Sequence, residues 1–162
     1  MTYLIDGYNL MFAAGLVSKA TPAARWERAR AKFLDWLAPA ASRAELRVVF
    51  DAQNAPARSS EESVNGVRVL FAYQQTADDR IEELLAKEPR PERLTVVSND
   101  SRVREAARRA GSAFLSCEAF TDWLISEAPP PRAPKPAAEE KPTAGAIEPD
   151  LLAVFTAPKR PR

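Results

Sequence analysis

The chain has 162 residues, 46% of them hydrophobic, and its 23 basic and 22 acidic side chains leave a formal net charge of +1. Those figures fit one globular domain with at most an appendage, and they exclude a uniformly basic nucleic-acid binder, so contact with a polyanion has to come from local patches. There is no histidine and only one cysteine, Cys117, which removes disulfides, imidazole or thiolate zinc centres, Ser–His and Cys–His nucleophile pairs and histidine acid–base chemistry.

Along the chain, Tyr3–Ile5 predicts a strand that turns at Asp6-Gly7, a common turn dipeptide. A helix follows, with Thr21 as its cap, Pro22 at its first position and Trp26, Ala29, Phe33, Trp36 and Leu37 as its apolar stripe. Leu46–Phe50 predicts a second strand, and the polar "AQNAPARSSEESVNG" at Ala52–Gly66 is read as a loop. Further strands are expected at Val67–Phe71, Leu94–Val97 and Ala113–Leu115. Helices are expected at Ala77–Lys87, Ser101–Ala110 (ended by Gly111) and Glu118–Ile125. The runs at Leu46 and Leu94 are nearly continuously apolar, as in parallel strands covered on both faces, so the pattern is α/β with a mostly parallel sheet.

From Ala128 the composition changes, and nine of the 14 prolines fall in this last stretch. Such a segment cannot bury enough surface to offset its ordering entropy, so residues 1–127 are expected to form the domain and 128–162 a disordered Pro-rich C-terminal tail. The apolar island Asp150–Phe155, "DLLAVF", is either accidental or a short motif that docks on a protein partner. No apolar run reaches the ~20 residues of a membrane span and no signal-like lead is seen, so a cytoplasmic protein is expected.

In a parallel α/β sheet, ligands bind beyond the carboxyl ends of the strands. The first predicted strand ends in Asp6, the second in Asp51, and Leu94–Val97 runs into Ser98, Asn99 and Asp100; Asp78 and Asp79 open the helix after the third strand. Each has a bland explanation as a turn former, loop acceptor or helix cap. Together they would repel one another at one sheet edge, a cost that a divalent cation removes. Without histidine, the chemistry of a hydrolase here would rest on carboxylates, hydroxyls and Lys or Arg, with a hard, oxygen-ligated ion such as Mg²⁺ or Mn²⁺ as a further candidate.

"IDGYN" at Ile5–Asn9, "VVFDA" at Val48–Ala52, "TADDRIE" at Thr76–Glu82 and "VVSND" at Val96–Asp100 resemble, in order and spacing, the YacP-like NYN domain of the PIN-like ribonuclease superfamily. The resemblance covers about Met1–Glu127. It implies a Rossmann-like three-layer α/β/α PIN-like domain that cleaves RNA internally with Mg²⁺ or Mn²⁺. By motif, Asp6, Asp78 and Asp100 correspond to the metal-holding acidic core, and Asn9 completes the first motif. Asp79 stands as a further ligand or outer carboxylate, and Asp51 and Ser98 are peripheral. Relatives near this group act on mRNA at the ribosome, which makes the ribosome a candidate partner.

For RNA contact, Arg80 and Arg102 lie within a turn of the acidic residues, and Tyr8 and Phe12 are candidates for base stacking. Arg25, Arg28, Arg30 and Lys32 on the first predicted helix, and Arg104, Arg108 and Arg109 on the third, are either a solvated surface or further phosphate contacts. An aspartyl-phosphate phosphatase is disfavoured because the position two after Asp6 is Tyr8 rather than a second aspartate. The remaining rival is a non-catalytic RNA-binding adaptor whose tail recruits a partner.

Overall fold

Strands and helices alternate through residues 1–52 and 61–126, the part of the chain that the computed structural model describes. In order they are β1 (Thr2–Asp6), α1 (Gly7–Ala13), α2 (Ala23–Leu37), β2 (Glu45–Asp51), β3 (Glu61–Val64), β4 (Val67–Ala72), α3 (Ala77–Lys87), β5 (Leu94–Val97), α4 (Ser101–Ala110), β6 (Ala113–Leu115) and α5 (Cys117–Ile125). The expected tail at 128–162, with its island at 150–155, lies outside the described residues, as does the arginine-bearing part of the loop after Ala52. Among the described residues no helix is long and apolar enough to cross a membrane.

The six strands form one sheet in the order β3-β4-β2-β1-β5-β6, parallel throughout except for β3 against β4. Strand alternation divides the core into two layers. Tyr3, Ile5, Val48, Phe50, Val69 and Phe71 point to one face, where Leu10 and Met11 of α1, Phe33 and Leu37 of α2 and Phe120 and Trp123 of α5 cover them. Leu4, Val49, Leu70 and Val96 point to the other and are covered by Ile81 and Leu85 of α3 and Val103 and Ala107 of α4. The result is the expected α/β/α sandwich. The chain runs outward from β1 to β2 and β4, then crosses back to β5 and β6, so the topological switch point lies between β1 and β5.

Three local expectations are revised. Asp6-Gly7 is not a free turn: Asp6 caps α1 directly, its carboxylate accepting from the Asn9 backbone N–H at 3.3 Å. An Asp cap ahead of the buried pair Leu10–Met11 was the available signal. Helix α2 has Pro22, not Thr21, at its cap, because the Thr21 hydroxyl instead accepts from the Ser18 N–H at 2.9 Å. The segment read as a loop before Val67 contains strand β3, hairpinned to β4 through Asn65 and Gly66, both with left-handed φ (50° and 82°). Asn-Gly is the preferred pair for such a two-residue turn, and the acidic side chains of Glu61 and Glu62 suit an edge strand.

Gly7 is required by a close approach. A Cβ there would lie 2.4 Å from Cε1 and 2.6 Å from Cδ1 of Phe50. That ring is fully buried and held by Tyr8 (5.0 Å between centroids), Phe33 (6.0 Å) and Phe71 (6.3 Å), so it has nowhere to move. Gly7→Ala is therefore expected to destabilise the protein by about 1–3 kcal/mol in denaturant titration despite alanine's better helix propensity. Combining it with Phe50→Ala, which removes every ring atom the new Cβ would meet, should cost clearly less than the sum of the two single changes; strict additivity would refute this contact.

Candidate active site

The switch point is where the acidic residues gather. Ile5 pairs with Val97, which sets Asp6 level with Ser98 on the adjoining strand end. The Ser98 hydroxyl donates to Asp6 Oδ2 at 3.2 Å and accepts from the Asp100 backbone N–H at 3.0 Å. Asp100 then caps α4, its Oδ1 accepting from the Arg102 N–H at 2.7 Å. One buried hydroxyl thus fixes the spacing between the Asp6 carboxylate and the Asp100 backbone. Asp6 is itself 5% exposed, so its carboxylate forms the floor of the site.

Asn9 stitches the two strand ends together. Its Oδ1 accepts from the Asn99 backbone N–H at 2.7 Å and from Cys117 Sγ at 3.2 Å, so the carbonyl oxygen carries two donors. Asn99 in turn accepts from the Cys117 N–H at 2.9 Å and donates to Glu118 at 2.8 Å, extending the brace to the start of α5. Asn99, Cys117 and Glu118 were not foreseen. Asn99 is visible between Ser98 and Asp100, but nothing in the sequence places α5 beside it.

The third acid arrives on α3, whose cap Thr76 forms a reciprocal box with Asp79: the Asp79 N–H donates to the Thr76 hydroxyl (3.1 Å) and the Thr76 N–H to Asp79 Oδ2 (3.2 Å). This sets Asp78 in the first turn. Its carboxylate has no hydrogen-bond donor among the described residues, and both burial and the nearby Asp100 push its pKa above the ordinary carboxylate range. Asp79, by contrast, is held below that range by Arg102 and Thr76. Arg102 bridges α4 to α3 through Asp79 and through Glu82 at 2.7 Å.

Asp6 feels the cluster most. Burial, and secondarily the negative charges of Asp78 and Asp100, push its pKa up to about 6 against the donation from Asn9 and Ser98. Burial likewise pushes the Cys117 thiol up to about 12, so it stands there as a neutral donor, not a thiolate.

The donor set is oxygen-only, acidic and mutually repelling, which fits a hard divalent cation. Among the described residues no three histidine, cysteine or acidic side chains close into a ready-made cage. Such a donor set suits an ion such as Mg²⁺ that takes carboxylate oxygens and keeps several waters.

The other sequence candidates sit around this cluster. Asp51 lies two residues beyond the position level with Asp6 and lines a cleft of about 490 Å³ with Tyr73, Gln74, Gln75 and Asp79. Arg80 is paired to Glu83 at 2.7 Å. The Tyr8 ring is packed between Trp26 and Phe50, each 5.0 Å away, and its hydroxyl accepts from Arg30 at 3.3 Å. Tyr8 therefore braces α1 against α2.

The Asp6 shift has a thermodynamic consequence in metal-free protein. A carboxyl with a raised folded-state pKa contributes most stability below its unfolded value, near pH 4, and that contribution is lost as pH rises through about 6. Asp6→Asn keeps the cap but cannot ionise. With chelator present it should melt several degrees above wild type at pH 8, about 3 kcal/mol, and converge with it near pH 4. A variant no more stable than wild type at pH 8 would contradict the assigned cause.

The family model for the YacP-like NYN domain matches residues 3–143. Among solved structures, a tryptophan-to-leucine mutant of Rae1 (YacP) from Bacillus subtilis is 27% identical with a TM-score of 0.62, over 76% of this chain and 74% of that one. The unmutated Bacillus subtilis Rae1 (YacP) gives 25% identity and a TM-score of 0.60 over 76% and 73% of the two chains. No curated protein matches the chain. Family match, sheet order and the acidic switch point coincide: the chain belongs to the YacP-like NYN domain family, with that family's nuclease-type, RNA-related fold.

Proposed function

We propose that the protein is a metal-dependent endoribonuclease that cleaves single-stranded RNA, including ribosome-associated mRNA, in the cytoplasm. The observation carrying this reading is the meeting of Asp6 and Asp100 on the Ser98 hydroxyl at the switch point of an NYN domain, with the Asp78 charge near enough to help raise the Asp6 pKa. Asp6, Asp78 and Asp100 would hold Mg²⁺ or Mn²⁺, with Asp79 and Asp51 facing its outer waters. A bound ion of this kind supplies a water of lowered pKa and offsets charge at the phosphodiester.

The chain's own residues do the positioning. The Ser98 hydroxyl orients Asp6 and ties it to the backbone of Asp100. Asn9, with its Oδ1 already accepting two donors, acts in this reading as a positioning residue holding the β1 and β5 ends together. Arg102 offsets part of the charge of Asp79 and Glu82, which lowers the field an incoming phosphate meets. Arg102 and Arg80 would contact RNA by exchanging a carboxylate partner for phosphate, and Tyr8 would act by fixing α1.

A second reading is a non-catalytic RNA-binding module that recruits a partner. Cleavage of labelled single-stranded RNA, free and ribosome-bound, separates the two. Wild type should cut internally with Mg²⁺ or Mn²⁺ and not with chelator. Asp78→Asn and Asp100→Asn should each slow cleavage about 10²-fold or more, the loss of several kcal/mol of charge stabilisation. Absence of metal-dependent cleavage on both substrates would favour the second reading, and full activity in both variants would refute the site.

A further inference from the structure

The basic residues of α2 divide into two sets. Arg30 turns inward, 8% exposed, with its guanidinium over the Phe50 ring at 5.9 Å. Arg25, Arg28 and Lys32, spaced three and four residues apart, share the opposite, exposed face. They line a groove of about 800 Å³ whose other wall is the turn after α1, with Gly15, Leu16 and Ser18. None of the three pairs with a carboxylate among the described residues. The acids of α2 lie elsewhere: Glu27 lines a separate cleft with Arg30 and Phe71, and Asp35 accepts from Asn65.

The groove is joined to the acidic site by α1. That helix starts at the Asp6 cap and carries Phe12 in its second turn, about 9 Å further along the axis. Phe12 is 42% exposed, and its ring is fixed edge-on by Trp26 of α2 at 5.9 Å. Unpaired cations lining a groove beside an exposed, anchored aromatic ring are the elements of single-strand recognition: the charges track phosphates, and an unstacked base covers the ring.

We propose that the groove between the α1–α2 turn and the Arg25–Arg28–Lys32 face of α2 binds the phosphate backbone of single-stranded RNA flanking the cleavage position, with Phe12 stacking a base between the two. This rests on the ribonuclease reading of the acidic site. The charge complementarity selects a polyanion, and the accessible ring selects unpaired nucleic acid over an acidic protein segment.

The test measures binding rather than cleavage, on the full chain with chelator present. Fluorescence anisotropy with a labelled single-stranded RNA gives the dependence of log Kd on log salt. The triple change Arg25→Gln, Arg28→Gln, Lys32→Gln should reduce that slope by about 2, some 0.7 per lost phosphate contact, and weaken low-salt binding at least tenfold. A control triple of equal charge on α4, Arg104→Gln, Arg108→Gln, Arg109→Gln, should leave the slope unchanged. Arg25→Lys with Arg28→Lys should keep it too. Phe12→Ala should weaken binding with no change in slope.

Equal losses from the α2 and α4 triples, or an unchanged slope in the α2 triple, would overturn the proposal. So would loss of poly-glutamate binding with the RNA slope intact, which would make the groove a docking surface for an acidic protein. Wild type that binds RNA, with the slope falling by about 2 in the α2 triple, but never cleaves it would refute the ribonuclease reading and leave the groove standing.

Discussion

Burying the Asp6 carboxylate at the carboxyl end of the central strand, beside two other acids, is the constraint around which this domain is organised. An ionised carboxylate out of water is costly, and like charges add to the cost. The fold offsets part of it with the Asn9 N–H and the Ser98 hydroxyl, and the rest appears as a pKa pushed up to about 6. Ser98 is tied to Asp100, so the same hydroxyl that solvates Asp6 also fixes the start of α4. Arg102, at the second position of α4, then spans to α3, where Asp78 sits. A shift in any one of these groups alters the field at the others.

The rigidity beneath the cluster comes from aromatic packing. Phe50 presses against the first turn of α1 closely enough that position 7 has room only for hydrogen. The Tyr8 ring and the Arg30 guanidinium close over the same ring, and Tyr8 continues to Trp26. Helix α1 is only seven residues long and would be marginal by itself. Clamped in this way it becomes a fixed strut, which sets Asp6 at one end and presents Phe12 at the other. A charge cluster and a tightly packed support are what a preorganised ion site needs, since the repulsion among the acids is released on cation binding.

Much of this was legible in the sequence because it depends on local rules. The apolar runs at Leu46 and Leu94 fixed parallel strands, and the acids at strand ends follow from where such strands stop. The sandwich itself and the positions of α3, α4 and α5 emerged within a residue or two. Other features were missed for identifiable reasons. Helix α1 was hidden because Asp-Gly suits both a turn and a cap; the apolar pair Leu10–Met11 hinted at the cap, and the Phe50 contact, made by a residue 43 positions away, holds the helix in place. Strand β3 was hidden by its acidic composition, which is the property of an edge strand, although Asn65-Gly66 marked its hairpin. The roles of the charged residues were least readable. Arg25 and Arg30 look alike in sequence, yet one faces solvent and the other lies over Phe50. Arg102 looks like a phosphate ligand and is found clasping Asp79 and Glu82. Pairing of this kind depends on which helices become neighbours, a tertiary fact that spacing does not encode.

The central claim is that Asp6, Asp78 and Asp100 form an unrelieved charge cluster that a divalent cation completes. Thermal melting of the full chain near pH 8, titrated with Mg²⁺ and Mn²⁺ from a metal-free start, tests it without reference to any RNA. A cation that binds the folded state alone raises stability in proportion to the logarithm of its excess over Kd. The account predicts a melting temperature that climbs with cation concentration in wild type, and a flat response when Asp78 and Asp100 are both changed to Asn. A flat response in wild type, or an equal climb in the double variant, would contradict it.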